Sequence, residues 1–227
     1  MLILSLDTST RVCSVALHHN GRLLGCYELF TEKTHSAMLT TLLEQVVTQA
    51  GFAFTDLHAI AVAKGPGSYT GLRIGVSTAK GLCFALDKPL IAINTLEAIA
   101  AQLRSYYTQD HLLCPMIDAR RMEVYCSIYE AQTLQLIQDT KAEIVTEASF
   151  TELYRPIVFF GDGAAKCKGI LSKLTGAIFP DTEIYPSAKT IGLLATEAAK
   201  QQQFEDLATF EPYYLKEFIG TIPKTKL

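Results

Sequence analysis

Charge is scarce in this 227-residue chain, at 19% of residues, and its basic part never gathers into a stripe. The densest basic cluster is Arg120-Arg121, with Lys216, Lys224 and Lys226 scattered towards the C-terminus. At a net charge of −3, the chain lacks the positive face with which a stand-alone RNA binder neutralises phosphates. A surface shared with another subunit stays open. Long apolar runs are missing too. The N-terminus, MLILSLD, has no basic flank, and its apolar stretch is too short for a signal peptide or a membrane helix. A cytoplasmic protein with no membrane contact is expected. The six cysteines form no Cys-x-x-Cys and stand among apolar or small residues, which reads as buried thiols rather than a zinc site. Nor do His18, His19, His35, His58 and His111 include a pair at the i, i+4 spacing that puts two imidazoles on one helical face. That spacing argues against a metallopeptidase, and no metal is expected.

Apolar residues are plentiful, at 49%, and the mean hydropathy is +0.20. Such a chain can pack a core and still reserve apolar surface for a partner. Its length suits one large domain or two of roughly 100 residues. Strands are expected over 2–6, 12–18 and 22–30, with Asn20-Gly21 as a hairpin turn. Helical periodicity follows over 34–50, where Leu39, Leu42, Leu43, Val46 and Val47 share a face and Gly51 serves as C-cap. A strand at 59–63, a Gly-rich loop, a helix over 71–86, a strand at 90–93 and a helix over 95–105, capped by Asn94 and Glu97, complete the first half. The order βββαβαβα is that of a ribonuclease H-like unit. The second half echoes it: strands at 112–117, 123–130 and 134–138, a helix near 147–154, a strand at 157–160, a helix to about 174 and a last helix over 188–202, then an extended tail. A duplicated α/β architecture is expected, with one lobe over 1–105 and the other over 106–227, the last helix packing back on the first lobe.

Four polar segments are candidates for chemistry. Gly65-Pro66-Gly67-Ser68-Tyr69-Thr70-Gly71 lies between a strand and a helix N-terminus, a place that offers free amides to an anion. Gly65, Gly67, Ser68 and Thr70 are the candidate contacts. The spacing fits neither a Rossmann nor a Walker loop, and a tight turn whose glycines serve packing is the alternative. Asp7-Thr8-Ser9-Thr10 stands where a phosphate hairpin would sit, or is a capped β-turn. Gly161-Asp162-Gly163 repeats the strand–turn–helix arrangement in the second half. Asp118 and Glu123 could act as paired carboxylates, but an ion-paired turn with Arg120 is the simpler reading.

The segments Asp7-Thr8-Ser9, His35-Ser36, GPGSYTGLRIG (65–75), DARRMEVY (118–125), Gly161-Asp162-Gly163 and Glu211-Pro212-Tyr213-Tyr214-Leu215, in that order, resemble the TsaB family. The resemblance implies a two-lobed actin-like ATPase fold of the sugar kinase and heat-shock ATPase type. It implies a non-catalytic scaffold in threonylcarbamoylation of the adenosine next to the tRNA anticodon. It also implies pairing with the catalytic TsaD, recruitment of the ATPase TsaE, and tRNA met through the complex. TsaD carries a His-x-x-x-His pair that this chain lacks. No cofactor is expected in the isolated chain, and ATP with magnesium only in the complex. A small-molecule kinase or ATPase of the same fold is the alternative. Scaffolding suggests an interface of helices 34–50 and 71–86 with the matching helices of a TsaD-like paralogue, or with a second copy when alone. Its expected residues are His35, Met38, Leu39, Leu42, Val46, Gly71, Arg73, Ile74, Gly75, Thr78, Ala79 and Leu82. Gly71, Gly75 and Ala79 form a smooth stripe at four-residue steps, with Leu72, Ile74, Val76, Leu82 and Phe84 around it.

Overall fold

The computed structural model describes residues 1–31 and 35–216. Position 34, the side chain of His35, Lys224, Lys226 and the end of the expected tail lie outside that description. Strands β1 (Leu2–Asp7), β2 (Cys13–His19) and β3 (Arg22–Leu29) form an antiparallel meander. Asn20 and Gly21, at φ 50° and 80°, make the tight turn between the last two. β4 (Ala59–Gly65) joins β1 in parallel and β5 (Leu90–Asn94) joins β4, giving the order β3-β2-β1-β4-β5. The second sheet repeats this plan. β6 (Leu112–Asp118), β7 (Glu123–Glu130) and β8 (Leu136–Ile144) form its meander, and β9 (Ile157–Phe160) and β10 (Ala177–Ile178) extend it in parallel, in the order β10-β9-β6-β7-β8. Each sheet therefore has the ribonuclease H-like pattern, and the duplication is one of topology.

Helices α1 (His35–Gln49) and α2 (Tyr69–Leu86) cover one face of the first sheet. In α1, Leu39, Leu42, Leu43, Val46 and Val47 are all buried. Gly51 at φ 83° ends it, and the Phe52 amide bonds the Val47 carbonyl at 3.1 Å. α2 starts two residues earlier than expected because Ser68 is the cap, its Oγ accepting from the Gly71 amide at 3.3 Å. α3 (Thr95–Leu103) is capped by Asn94, whose Oδ1 accepts from the Leu96 and Glu97 amides, while the Glu97 side chain expected to share the cap makes no hydrogen bond back to Asn94. α4 (Ala164–Leu171) packs on the second sheet and stops short of 174. The expected helix near 147–154 is a series of turns instead. Its amides at Ser149 and Leu153 bond three residues back, and Phe150 adopts φ 65° to enter the second core. The strand expected at 134–138 begins later and runs longer, because Leu134 at φ 58° belongs to the turn.

The two halves exchange helices. α3, from the first half, puts Leu96, Ile99, Ala100 and Leu103 against Leu113, Ile117, Val158 and Phe160 of the second sheet. α5 (Ala188–Lys200), from the second half, puts Ile191, Ala195 and Ala199 against Ile3, Ala61 and Ile91 of the first. Each fully buried Leu, Ile or Phe side chain contributes roughly 1.5–3 kcal/mol, so the junction between the sheets is itself core. No helix among the described residues is long and apolar enough to cross a membrane.

Candidate functional site

The turn after β1 and the Gly-rich loop after β4 are built as one interlocked unit. Asp7 is 1% exposed, and its Oδ1 accepts from the Ser9 amide at 2.8 Å and the Ser9 hydroxyl at 2.6 Å. Oδ2 is buried without a hydrogen-bond partner. Burial pushes this carboxyl up to about 6, against the Ser9 bonds that favour the anion. Thr8 Oγ1 donates to the Gly71 carbonyl at 2.7 Å, and the Ser68 amide donates to the Ser9 carbonyl at 2.6 Å. A Cβ at Gly67 would overlap the Ser9 carbonyl, one at Gly71 the Thr8 carbonyl, and one at Gly75 the Thr8 hydroxyl. The glycines thus serve the close approach of this chain's own backbone. The turn and the start of α2 are in direct backbone contact, and the Ser68 and Gly71 amides are already engaged. The residues of this loop do not fit the nucleotide that an ATPase fold implies.

Gly161-Asp162-Gly163 plays the same part in the second sheet. Gly161, at φ 101°, lies on the Met116 carbonyl, the Gly163 amide bonds that carbonyl at 3.0 Å, and Asp162 Oδ1 accepts from the Asp118 amide at 3.0 Å. Burial raises the Asp162 pKa, opposed first by the bond from the Asp118 amide and then by the charges of Arg11 and Lys166. The polar turn is ion-paired, but not as expected. Asp118 pairs with Lys166, and Glu123 pairs with Lys216, whose ammonium also sits 5.8 Å from the Tyr125 ring centre. Arg120 contributes its backbone, the amide donating to Asp118 Oδ1 at 2.9 Å and the carbonyl accepting from the Glu123 amide at 3.2 Å, as it and Arg121 turn through φ 69° and 51°. Both carboxylates are held by lysines, not aimed together at a reacting group.

The expected interface residues divide into two sets. Leu39, Leu42, Val46, Gly71, Gly75 and Ala79 point into the first core, so the small-residue stripe seats α2 on β1 rather than on a partner. Outside, Met38 and Arg73 are exposed, and Ile74, Thr78 and Leu82 are half-buried. Phe84 is 86% exposed, although α2 is otherwise well packed. One participant was not legible from periodicity. The segment after α5 runs back over the first sheet as a strap: the Glu205 amide bonds the Leu90 carbonyl at 2.9 Å, Phe210 enters the first core, and the Tyr213 amide bonds the Lys64 carbonyl at 2.7 Å. Tyr214 packs on Tyr69 with ring centres 4.9 Å apart, and Arg73 lies 4.5 Å over the Tyr69 ring. Lys216 then reaches Glu123. EPYYL therefore joins GPGSYTGLR to DARRMEVY, and only their presence as motifs hinted at it.

The chain matches over residues 28–219 the family described as TsaD: tRNA N6-adenosine threonylcarbamoyltransferase. It is 32% identical over 223 residues to the tRNA threonylcarbamoyladenosine biosynthesis protein TsaB of Bacillus subtilis, covering 95% of this chain and 94% of that one. Among solved structures, it is similar to a Pseudomonas aeruginosa protein described as similar to peptidase YEAZ, with a TM-score of 0.79, 30% identity, and 95% and 99% of the two chains covered. The ADPNP-bound activator of 2-hydroxyisocaproyl-CoA dehydratase from Clostridium difficile matches at a TM-score of 0.53 and 12% identity, over 89% of this chain and 97% of that one. That last likeness shows the fold alone, the duplicated fold of the actin-like ATPases.

Proposed function

This chain belongs to the TsaB family of tRNA threonylcarbamoyladenosine biosynthesis proteins, and on that premise we propose that it is the non-catalytic scaffold subunit of the modifying complex. The observation that carries this reading is the closed Gly-rich loop. Where an ATPase of this fold needs open amides, Ser9, Thr8 and Ser68 fill the space with the chain's own atoms. Catalysis, ATP and magnesium then belong to the assembly, with a TsaD-like paralogue holding the transferase site, a TsaE-like ATPase docking on the pair, and tRNA met by the complex in the cytoplasm. We take 1–105 and 106–227 as the two lobes, the first carrying the partner surface.

That surface is the outer side of α1 and α2, reduced to Met38, Arg73, Ile74, Thr78, Leu82 and Phe84. A ring left in water on a packed helix is a natural anchor for a partner helix, and aromatic anchors carry much of an interface's energy. Alone, the chain would pair with a second copy through the same face. The test is a calorimetric titration of ATP–magnesium into the isolated chain, repeated with the TsaD-like partner and the small ATPase present. No measurable heat from the chain alone, with binding and turnover in the assembly, is expected. Tight binding and hydrolysis by the isolated chain would instead support a small-molecule kinase or ATPase.

A further inference from the structure

A second region of the first sheet adjoins the Gly-rich loop, which begins one residue after Lys64, and lies partly under the strap. In α/β sheets ligands bind outside the carboxyl ends of the strands, and β4 and β5 end side by side at Gly65 and Asn94, with Lys64 one residue before the end of β4. Two clefts open there, of about 410 and 520 Å³, and both are lined by Lys64 and Glu205. The larger runs beneath the strap. The other is closed by Glu97 of α3, by the last turns of α5, and by Phe204. Such volumes suit small molecules.

Most polar groups lining the smaller cleft are already engaged. Asn94 accepts from two amides with its oxygen and donates to Thr140 with its nitrogen. Gln203 donates to Gln201 at 2.9 Å, and Glu197 pairs with Lys200 at 2.8 Å. Lys64, Glu97 and Glu205 differ. Among the described residues none of the three side chains forms an ion pair, although all three line this one cleft. Lys64 and Glu97 are both half-buried. Lys64 and Glu97 feel each other's charge across the cleft without forming a direct ion pair, and a ligand carrying the opposite charges would bond both at once. Beside them Leu194, Ala198, Ile93 and Phe204 offer an apolar wall.

We propose that this cleft binds a small zwitterion of the α-amino acid class. Lys64 receives the carboxylate, Glu97 and Glu205 receive the ammonium, and the apolar wall receives the side chain. The site lies away from the outer face of α1 and α2, so it stands or falls independently of the scaffold reading. A thermal-shift screen of the standard amino acids on the full chain, followed by calorimetry on the one that stabilises most, tests it. One amino acid is expected to saturate. Its carboxamide and its N-acetyl form should each bind at least about tenfold more weakly. Lys64→Met and Glu97→Gln should weaken the parent ligand by a similar factor while leaving the unliganded melting temperature unchanged. The carboxamide should lose nothing further in Lys64→Met, a pairing that a merely structural role of Lys64 would not produce. No shift with any amino acid, equal binding of the two derivatives, or undiminished affinity in Lys64→Met would each overturn the proposal.

Discussion

At Asp7 two effects oppose one another. Burial disfavours the anion, and two hydrogen bonds from Ser9 favour it; burial wins, lifting the pKa from 3.8 to about 6. A carboxyl with a raised folded pKa contributes its stability below the unfolded value, and that contribution is lost as the pH rises through about 6. Near neutral pH the molecule therefore carries a buried charge that costs roughly 2–3 kcal/mol. Asp7→Asn keeps an oxygen to accept from Ser9 and removes the charge. Its stability relative to the parent should be greater above pH 6 than below pH 4 by that amount, as read from denaturant midpoints across the range. A difference that does not vary with pH would mean that burial leaves the Asp7 pKa at its unfolded value. A pair of glycines in α2 makes a second comparison. Gly81 has open space around it, so Gly81→Ala should gain about 0.5–1 kcal/mol from helix propensity alone. Gly75→Ala has the same propensity gain but strikes the Thr8 hydroxyl, and overpacking of this kind costs about 1–3 kcal/mol, so the sign should reverse. Sequence made Gly75 legible as a place for close approach. It could not tell that the approaching body is β1's own turn, because a four-residue spacing records a smooth stripe and not its occupant.

Among the elements, what could be read and what could not differ for a physical reason. The meanders, α1 and the Asn94 cap follow from local rules, in which period, turn residues and caps act within a few positions of one another. The exchange of α3 and α5 between the sheets is non-local. Packing of the last helix on the first lobe is expected from the duplicated plan, but Ile191, Ala195 and Ala199 would satisfy either core equally well in periodicity, so their spacing alone does not assign them. The expected helix at 147–154 failed likewise, since burying Phe150 in the second core outweighs helix propensity over so short a stretch. For α2 the outward face now carries the testable claim. Phe84→Glu replaces an 86% exposed ring, so folding stability should change by less than about 0.5 kcal/mol. Affinity for a TsaD-like partner should fall at least tenfold if the ring is the anchor we propose. Co-purification or calorimetry measures the second quantity and thermal melting the first. An intact complex with the charged variant would move the interface elsewhere.

Across the whole molecule, the strap from Glu205 to Lys216 links parts that the chain keeps far apart. It starts at the end of α5, sets Phe210 in the first core, lies on the end of β4 and finishes on the polar turn of the second sheet. Gly65 sits directly under the Tyr213 carbonyl, so the strap is a wall of the Gly-rich loop as well as a bridge. Three of the motifs that identified the family are thus one physical structure, and the middle of it is anchored chiefly by one ring. Phe210 is 9% exposed, and its carbonyl accepts from Lys80 Nζ at 2.9 Å. Phe210→Ala should cost about 3 kcal/mol, towards the lower end for a buried phenylalanine because the site lies at the edge of the core. Its effect should not be uniform. Loosening the strap removes the cover over β4's end, so amide exchange at residues 64–72 should accelerate more than at the core strands β1 and β2. An equal rise throughout would mean that Phe210 merely adds to global stability. A rise confined to the strap itself would mean that the loop holds its shape unaided, through Thr8, Ser9 and Ser68 alone.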